Sequence, residues 1–290
     1  MIIVRLKGGL GNQLFQYAVG RRLAEIHKSE LKIDISIFET YKLHAYSISP
    51  FNIQEHIASS DEVATLTARR RGIVERAATR LLRRPSKLAT TYIQERQFHF
   101  DPEILNLPDG VYLDGYWQSE KYFADIAEIL RQEFTVKTLP VGKDKELAER
   151  MASCESVSLH IRRGSYLLSP YNATHGICSL DYYFKCVEYL TQAVKHPHFF
   201  IFSDEPQWAH DNLKFPYPTT YVDHNGADKD YEDLRLLSQC KNHIIANSTF
   251  SWWGAWLGTW PQKMVMAPQK WFADDARDTR DLIPETWIRM

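Results

Sequence analysis

HIRRGSY, residues His160 to Tyr166, places two guanidiniums directly after Val157 to Ile161, which reads as a buried strand. Guanidiniums at a strand's carboxyl end are costly unless they meet carboxylates or phosphates, and their planar fork fits either group. Because side chains alternate along an extended chain, one of Arg162 and Arg163 is expected to reach a cleft while the other braces the loop. A pair of solvated strand-end charges is the competing reading.

Other turns carry polar groups of a matching kind. In GGLGNQ, Gly8, Gly9 and Gly11 separate a strand from a helix, so the backbone can approach a ligand closely and helix N-terminal amides can attract an anion or a sugar oxygen. Leu14 stands where the dinucleotide fingerprint needs a third glycine, and no Gly-Lys-Ser/Thr follows for a P-loop. Asn12 and Gln13 supply amides that both donate and accept, as a hydroxyl-rich ligand requires. An ordinary turn with a polar helix start fits these residues equally well.

FSDEP leaves Ser203, Asp204 and Glu205 at the end of another apolar strand. A carboxylate there can accept two hydrogen bonds from the N1 and N2 edge of guanine, and the same residues can cap a helix that has Pro206 in its first turn. ANSTFSWWGAWLGTW supplies Asn247, Ser248, Thr249 and Ser251 just before a Trp-rich helix, where hydroxyls and free amides would suit a diphosphate. Trp252, Trp253, Trp256 and Trp260 recur near helical spacing and read mainly as core. Asp228-Lys229-Asp230 has the D-x-D form that can hold a divalent metal. It precedes a helix whose first turn carries Glu232 and Asp233, so capping and dipole complementarity account for the acids, and no metal site is expected.

The elements that must position these turns alternate strand and helix. Ile2 to Lys7, Leu14 to His27 and Leu31 to Ile35 form one βαβ unit, followed by a strand at Val111 to Asp114 and a helix from about Glu120 to Phe134. Thr138 to Lys143 reads as a hinge, dividing the chain into domains 1–140 and 141–290. The second half continues with Val157 to Ile161 (strand), Leu180 to Val194 (helix), His198 to Ser203 (strand), Tyr231 to Cys240 (helix) and His243 to Ala246 (strand). Two Rossmann-like α/β domains facing a cleft are therefore predicted, with ligands outside the carboxyl ends of the strands.

Composition narrows the class. A chain of 290 residues with 44% hydrophobic content can bury two cores. The net charge of −1 gives no overall attraction to nucleic acid. Cys154, Cys178, Cys186 and Cys240 form no CxxC pattern and read as reduced thiols. MIIVRLK falls far short of the roughly 18 apolar residues of a membrane span and resembles no secretory leader, so a soluble, cytoplasmic protein is expected. The N-x-S/T strings at Asn172 and Asn247 are then chance matches. RRRGIVERAATRLLRRPSK, from Arg69 to Lys87, has the pattern of a basic amphipathic helix. Such a run is either a solvated face or a peripheral contact with an anionic membrane surface, which would bring a lipid-linked acceptor to the cleft.

GGLGNQLFQYA, GYWQSEKYF, HIRRGSY, HGICSLDYY, FIFSDE and DLRLLSQCKNHIIANSTFSWWGAWLG, in this order and through nearly the whole chain, resemble bacterial α-1,2-fucosyltransferases. The resemblance implies a GT-B architecture, GDP-fucose bound by the C-terminal domain and an acceptor bound mainly by the N-terminal one. It also implies inverting, metal-independent transfer with no cofactor to the 2-hydroxyl of a terminal β-galactoside, in O-antigen-like surface polysaccharide synthesis. The family's H-x-R-R-G-D pattern falls on His160, Arg162, Arg163 and Gly164, with Ser165 in place of the aspartate. Arg162 resembles the residue that grips the β-phosphate, Arg163 a second phosphate or structural contact, and Asp204 the guanine-reading acid. Asn247, Ser248, Thr249 and Phe250, with Gly9 and Gly11, fall on the donor side, and Asn12 and Gln13 on the acceptor side. For the general base, His160, His175 and Asp34 are the candidates. Transfer from another GDP-sugar such as GDP-mannose, or sugar and nucleotide binding without turnover, are the alternatives.

Overall fold

A computed structural model describes residues 1–40, 43–68, 91–167, 174–274 and 276–290. The basic segment Arg69 to Lys87 and the Asn172 string lie outside the described residues. Its elements begin with β1 (Ile2–Arg5), α1 (Leu10–His27), β2 (Leu31–Asp34), α2 (Ser60–Thr67), β3 (Tyr92–Gln94), β4 (Tyr112–Asp114), α3 (Ala127–Glu133) and α4 (Gly142–Ser153). They continue with β5 (Glu155–Ile161), α5 (Leu180–Ala193), β6 (Pro197–Ser203), α6 (Pro206–Asn212), β7 (Thr219–Val222), α7 (Asp230–Gln239), β8 (Asn242–Ile244), α8 (Thr249–Leu257), β9 (Val265–Ala267) and β10 (Ile288–Arg289).

The strands form two sheets, ordered β2-β1-β4-β3 and β10-β9-β8-β5-β6-β7, and every pairing between them is parallel. Parallel strands covered on both faces need near-continuous apolar sequence, which Phe199 to Phe202 supply; β5 instead buries Ser158 and His160 among its apolar residues, and Ser158 Oγ pairs with His243 Nδ1 at 2.8 Å. In the second sheet the chain runs outward from β5 through β6 to β7, then returns to β8 on the other side of β5. The gap between the carboxyl ends of β5 and β8 is thus a topological switch point, where open α/β sheets bind ligands. The first sheet has the same feature between β1 and β4.

Helix α1 is buried almost all round, including Arg21 and Arg22. A helix lacking a solvated face must be covered on more than one side. Arg21 pairs with Glu133 at 2.8 Å and Arg22 with Asp125 at 3.1 Å, so neither buried charge is left without an acid. The remaining surface of α1 meets α8, bringing Phe15 to 4.5 Å from Trp252 and 4.9 Å from Trp253 between ring centres. One hydrophobic core consequently contains Ile2, Leu14, Phe15 and Phe123 together with Trp252, Trp253, Trp256 and Trp287. The second half also has clusters of its own, one around Val157, Leu159, Tyr183 and Phe199 and another around Met151, Phe200 and Leu236, so the first half's core is the one shared across the two halves.

The continuous helix expected from Glu120 to Phe134 is broken into two short 3₁₀ turns, Glu120–Tyr122 and Ala124–Ile126, before α3 begins. Its cause is Phe123, whose backbone is neither helical nor extended (φ −147°, ψ 13°) and whose fully buried ring stacks on Trp253 at 5.4 Å. Tertiary packing outweighs helix propensity at that residue. Gly142, expected within the hinge, instead opens α4.

Gly11 shows how closely the halves approach. A Cβ added there would lie 2.4–2.6 Å from backbone atoms of Thr249 and Phe250, where no flexible side chain can yield. Gly11→Ala should therefore destabilise the fold by about 2–3 kcal/mol, the upper part of the usual overpacking range. Urea denaturation measures this, and an unchanged midpoint would remove Gly11 as the contact point.

Candidate active site

The turn after β5 lies at the switch point of the second sheet. Asp204, from the turn after β6, accepts the Arg163 backbone N–H at 2.9 Å and pairs with Arg162 Nη1 at 3.2 Å through its other oxygen. Gly164 leaves room for this carboxylate, since a Cβ there would come within 2.9 Å of Asp204 Oδ2. Arg163 pairs with Glu205 at 3.2 Å and lies 3.9 Å over the Trp208 ring. The two arginines thus divide their tasks: Arg163 ties the turn to α6, while Arg162 faces the cleft, where its charge reaches His44 and His175. Asp204 engages the arginine turn through both oxygens and so orients Arg162.

His160 is buried beneath Phe250, 5.3 Å between rings, and its Nδ1 has no hydrogen-bond partner among the described residues. Burial lowers its pKa strongly, Asp204 opposes the shift and Arg162 adds to it, so the ring is neutral at physiological pH. A ring so enclosed supports the turn and is out of reach of an acceptor hydroxyl.

The turn after β8 shows a similar division. Asn247 is 3% exposed and donates to the carbonyls of His175 (2.9 Å) and Trp271 (3.1 Å), while its oxygen accepts from Cys178 Sγ at 3.5 Å. It braces the surrounding loops, which corrects its placement as a donor contact; its burial also removes it as a glycan acceptor. Ser248 occupies the N-cap position of α8 without a side-chain capping bond, and Thr249 and Phe250 form the first half-buried turn. Through Gly11, the start of α1 touches this turn, so two helix N-termini from opposite halves meet. Their unpaired amides and dipoles favour an anion in the space they share.

In the first half, Gln13 is fully buried. Its amide donates to Gly8 O and Ala45 O, both at 2.8 Å, and accepts from Ser47 N at 2.9 Å. It pins the 45–47 loop rather than meeting an acceptor, a correction that follows from its having no exposed polar atom to offer. The pinned loop carries His44, whose ring lies 3.5 Å from where a Cβ on Gly9 would stand. Asn12 accepts from Gln118 Nε2 at 2.8 Å, linking the turns after β1 and β4. Asp34 is buried and accepts from Tyr112 Oη at 2.6 Å and Ser36 N at 2.9 Å, which corrects its candidacy as a base. At the same sheet edge Asp114 joins Lys7 (2.7 Å) and Arg5 (3.1 Å), and Lys7 lies 4.9 Å over the Tyr116 ring. Glu95 accepts the backbone N–H groups of Tyr116 and Trp117, holding Trp117 in the left-handed region at φ +56°.

Asp228 and Asp230 sit on the turn into α7, whose first turn also contains Glu232 and Asp233. Among the described residues no three His, Cys, Asp or Glu side chains converge as metal ligands. All four cysteines are unpaired thiols. No described helix is long and apolar enough to cross a membrane. A cavity of about 330 Å³ opens beside Thr138, Leu139 and Pro140, but no carboxylate or histidine lines it.

The sequence matches the description Glycosyl transferase family 11 over residues 1–290. The chain belongs to that family. This family 11 glycosyltransferase is 32% identical to an α-1,2-colitosyltransferase of Escherichia coli, covering 100% of this chain and 99% of the relative. It is also 32% identical to the O-antigen biosynthesis glycosyltransferase WbnK of Escherichia coli, over 98% of this chain and 99% of that protein. Among solved structures, a mutant of Arabidopsis thaliana FUT1 in complex with GDP superposes with a TM-score of 0.52 at 13% identity, covering 91% of this chain and 69% of that one. The shared architecture is GT-B, two Rossmann-like halves facing a cleft. In this glycosyltransferase residue type and spacing did not single out His44, Lys7, Asp114 or Tyr116 as site residues. Lys7 and Asp114 end predicted strands and Tyr116 falls within GYWQSEKYF, but neither strand period nor motif says which side chains meet, and only the contacts between turns do.

Proposed function

We propose that this glycosyltransferase moves L-fucose from GDP-β-L-fucose to the 2-hydroxyl of a terminal β-galactoside, with inversion and without a metal, in the assembly of a surface polysaccharide. The observation that carries this reading is Arg162, held by Asp204 at the switch point from which α8 also starts. Loss of the sugar leaves negative charge on the diphosphate, and a preoriented guanidinium with helix amides stabilises it as it forms. Arg162, Ser248, Thr249, Phe250 and Gly9 are assigned to the donor, and Arg163 to the support of Arg162. Asn12, with Lys7 and Tyr116, is assigned to the acceptor side, where charged groups and an aromatic face suit a sugar.

A colitosyl donor is the second reading, favoured by the α-1,2-colitosyltransferase relative. Colitose is fucose without its 3-hydroxyl, so the two donors differ at one hydrogen-bonding group. A site that binds that hydroxyl should reject the deoxy sugar by about 10⁴-fold, whereas a site that leaves it unbound accepts both. Incubating the enzyme with each GDP-sugar, a panel of β-galactosides and excess EDTA decides the matter. The expected result is an α-1,2-fucosyl product by NMR at an undiminished rate in chelator. Transfer only from the colitosyl donor would replace the reading, and chelator-sensitive transfer would overturn its metal independence.

A further inference from the structure

We propose that Tyr166 is a positioning residue that sets the Arg162 guanidinium against the start of α8, an inference that rests on the assignment of Arg162 to the departing diphosphate above. Asp204 meets Arg162 at Nη1, 3.2 Å away, and so fixes one corner of the fork. A planar group is oriented only when its plane is set as well. The Tyr166 ring offers a surface for that plane, with the guanidinium carbon 5.5 Å from its centre, within the reach of a cation–π contact.

Local structure brings the two side chains together. Arg162 and Tyr166 are four residues apart, and the 3₁₀ turn Gly164–Leu167, with Leu167 N–H donating to Arg163 O at 3.0 Å, folds the ring back toward the arginine. Arg163 has partners of the same two kinds, Glu205 for its charge at 3.2 Å and the Trp208 ring for its face at 3.9 Å. Each guanidinium of the motif thus has an acid and an aromatic ring. What differs is the anchor of the ring: Trp208 belongs to α6, whereas Tyr166 is tied to the turn after β8.

That tie has two parts. Tyr166 Oη donates to Asn247 O at 3.3 Å, and its ring stacks on His175 with centres 4.7 Å and planes 11° apart. One buried side chain holds both supports, because the Asn247 amide donates to His175 O at 2.9 Å and to Trp271 O at 3.1 Å. Asn247 directly precedes Ser248, the N-cap residue of α8. Tyr166 therefore joins the turn that carries Arg162 to the turn from which α8 starts, and these are the two parts of the second half assigned to the leaving group. A guanidinium preset against that helix needs little rearrangement as charge develops on the diphosphate, which is how fixed donors lower a barrier. With an imidazole stacked on its ring and its hydroxyl given to a backbone carbonyl, Tyr166 is placed to act through Arg162 rather than on the substrate.

A double-mutant cycle tests this, with single-turnover rates from GDP-fucose to a β-galactoside measured for wild type, Tyr166→Leu, Arg162→Ala and the double variant, and circular dichroism as the control for folding. Tyr166→Leu should lower the rate by about 5–30-fold, the scale of a partly desolvated cation–π contact, and Tyr166→Phe, which keeps the ring, should recover most of that loss. In the Arg162→Ala background the same leucine substitution should change the rate by less than about twofold, because a residue that acts only through Arg162 has nothing left to position. Should the leucine variant fail to fold, Tyr166→Met, a longer apolar chain, replaces it in the same cycle. A loss of equal size with and without Arg162, or a rate within about twofold of wild type for the ringless variant, overturns the role of Tyr166 and leaves Arg162 in place. An Arg162→Ala enzyme as fast as wild type overturns the diphosphate assignment itself, and the role of Tyr166 with it.

Discussion

Replacing Arg162 by alanine should lower kcat for sugar transfer by about 10²–10³-fold, about 2.7–4 kcal/mol of barrier, the scale on which preoriented electrostatic donors act. Arg162 is held at 3.2 Å by Asp204, so its guanidinium is oriented before any anion arrives and needs little reorganisation as the leaving group gains charge. Lysine should not restore the rate, because a point charge on a flexible stem lacks the planar fork. The fold should survive the change, since Asp204 keeps the Arg163 backbone N–H and is partly solvated. Single-turnover rates and circular dichroism together check the prediction. A folded Arg162→Ala enzyme that retains most of its kcat would move the diphosphate away from the β5 turn.

Trp253→Ala should cost about 3–5 kcal/mol of stability, the range for removing a large aromatic side chain from a packed core. Trp253 is fully buried among Phe15, Phe123, Phe134 and Trp256, with ring centres 4.9–5.4 Å away. Its indole N–H has no acceptor, so its contribution comes from apolar contact across the two halves rather than from a hydrogen bond. Trp260 provides the contrast: it is 43% exposed, with Lys241 over its face at 4.7 Å. Trp260→Ala should cost less than about 1 kcal/mol. Equal losses for the two variants in thermal or urea denaturation would contradict the shared core.

The Trp series illustrates how much of the fold was legible. Spacing alone marked Trp252, Trp253, Trp256 and Trp260 as mainly core; the first three are buried on α8, whereas Trp260 lies past the end of the helix and is exposed. It did not reveal that their partners are α1 and Phe123, because periodicity names a buried face and not what covers it. The break at Phe123 was hidden for the same reason: local propensity favours a continuous helix, and the ring's place beneath Trp253 overrides it.

Local chemistry determined the alternation of strands and helices, the turns that carry polar groups and the pairing need of Arg162 and Arg163. These follow from side-chain period, from glycine's lack of a Cβ and from the cost of unpaired guanidiniums, all of which are written along the chain itself. Tertiary structure decided which polar residues face the cleft. Gly11 proved to be a backbone contact with Thr249, Gln13 and Asn247 became braces, Asp204 turned to Arg162, and His44 came to rest against Gly9. Each of these outcomes depends on a partner from a distant part of the chain, and a side chain's donors and acceptors are committed only when that partner is in place.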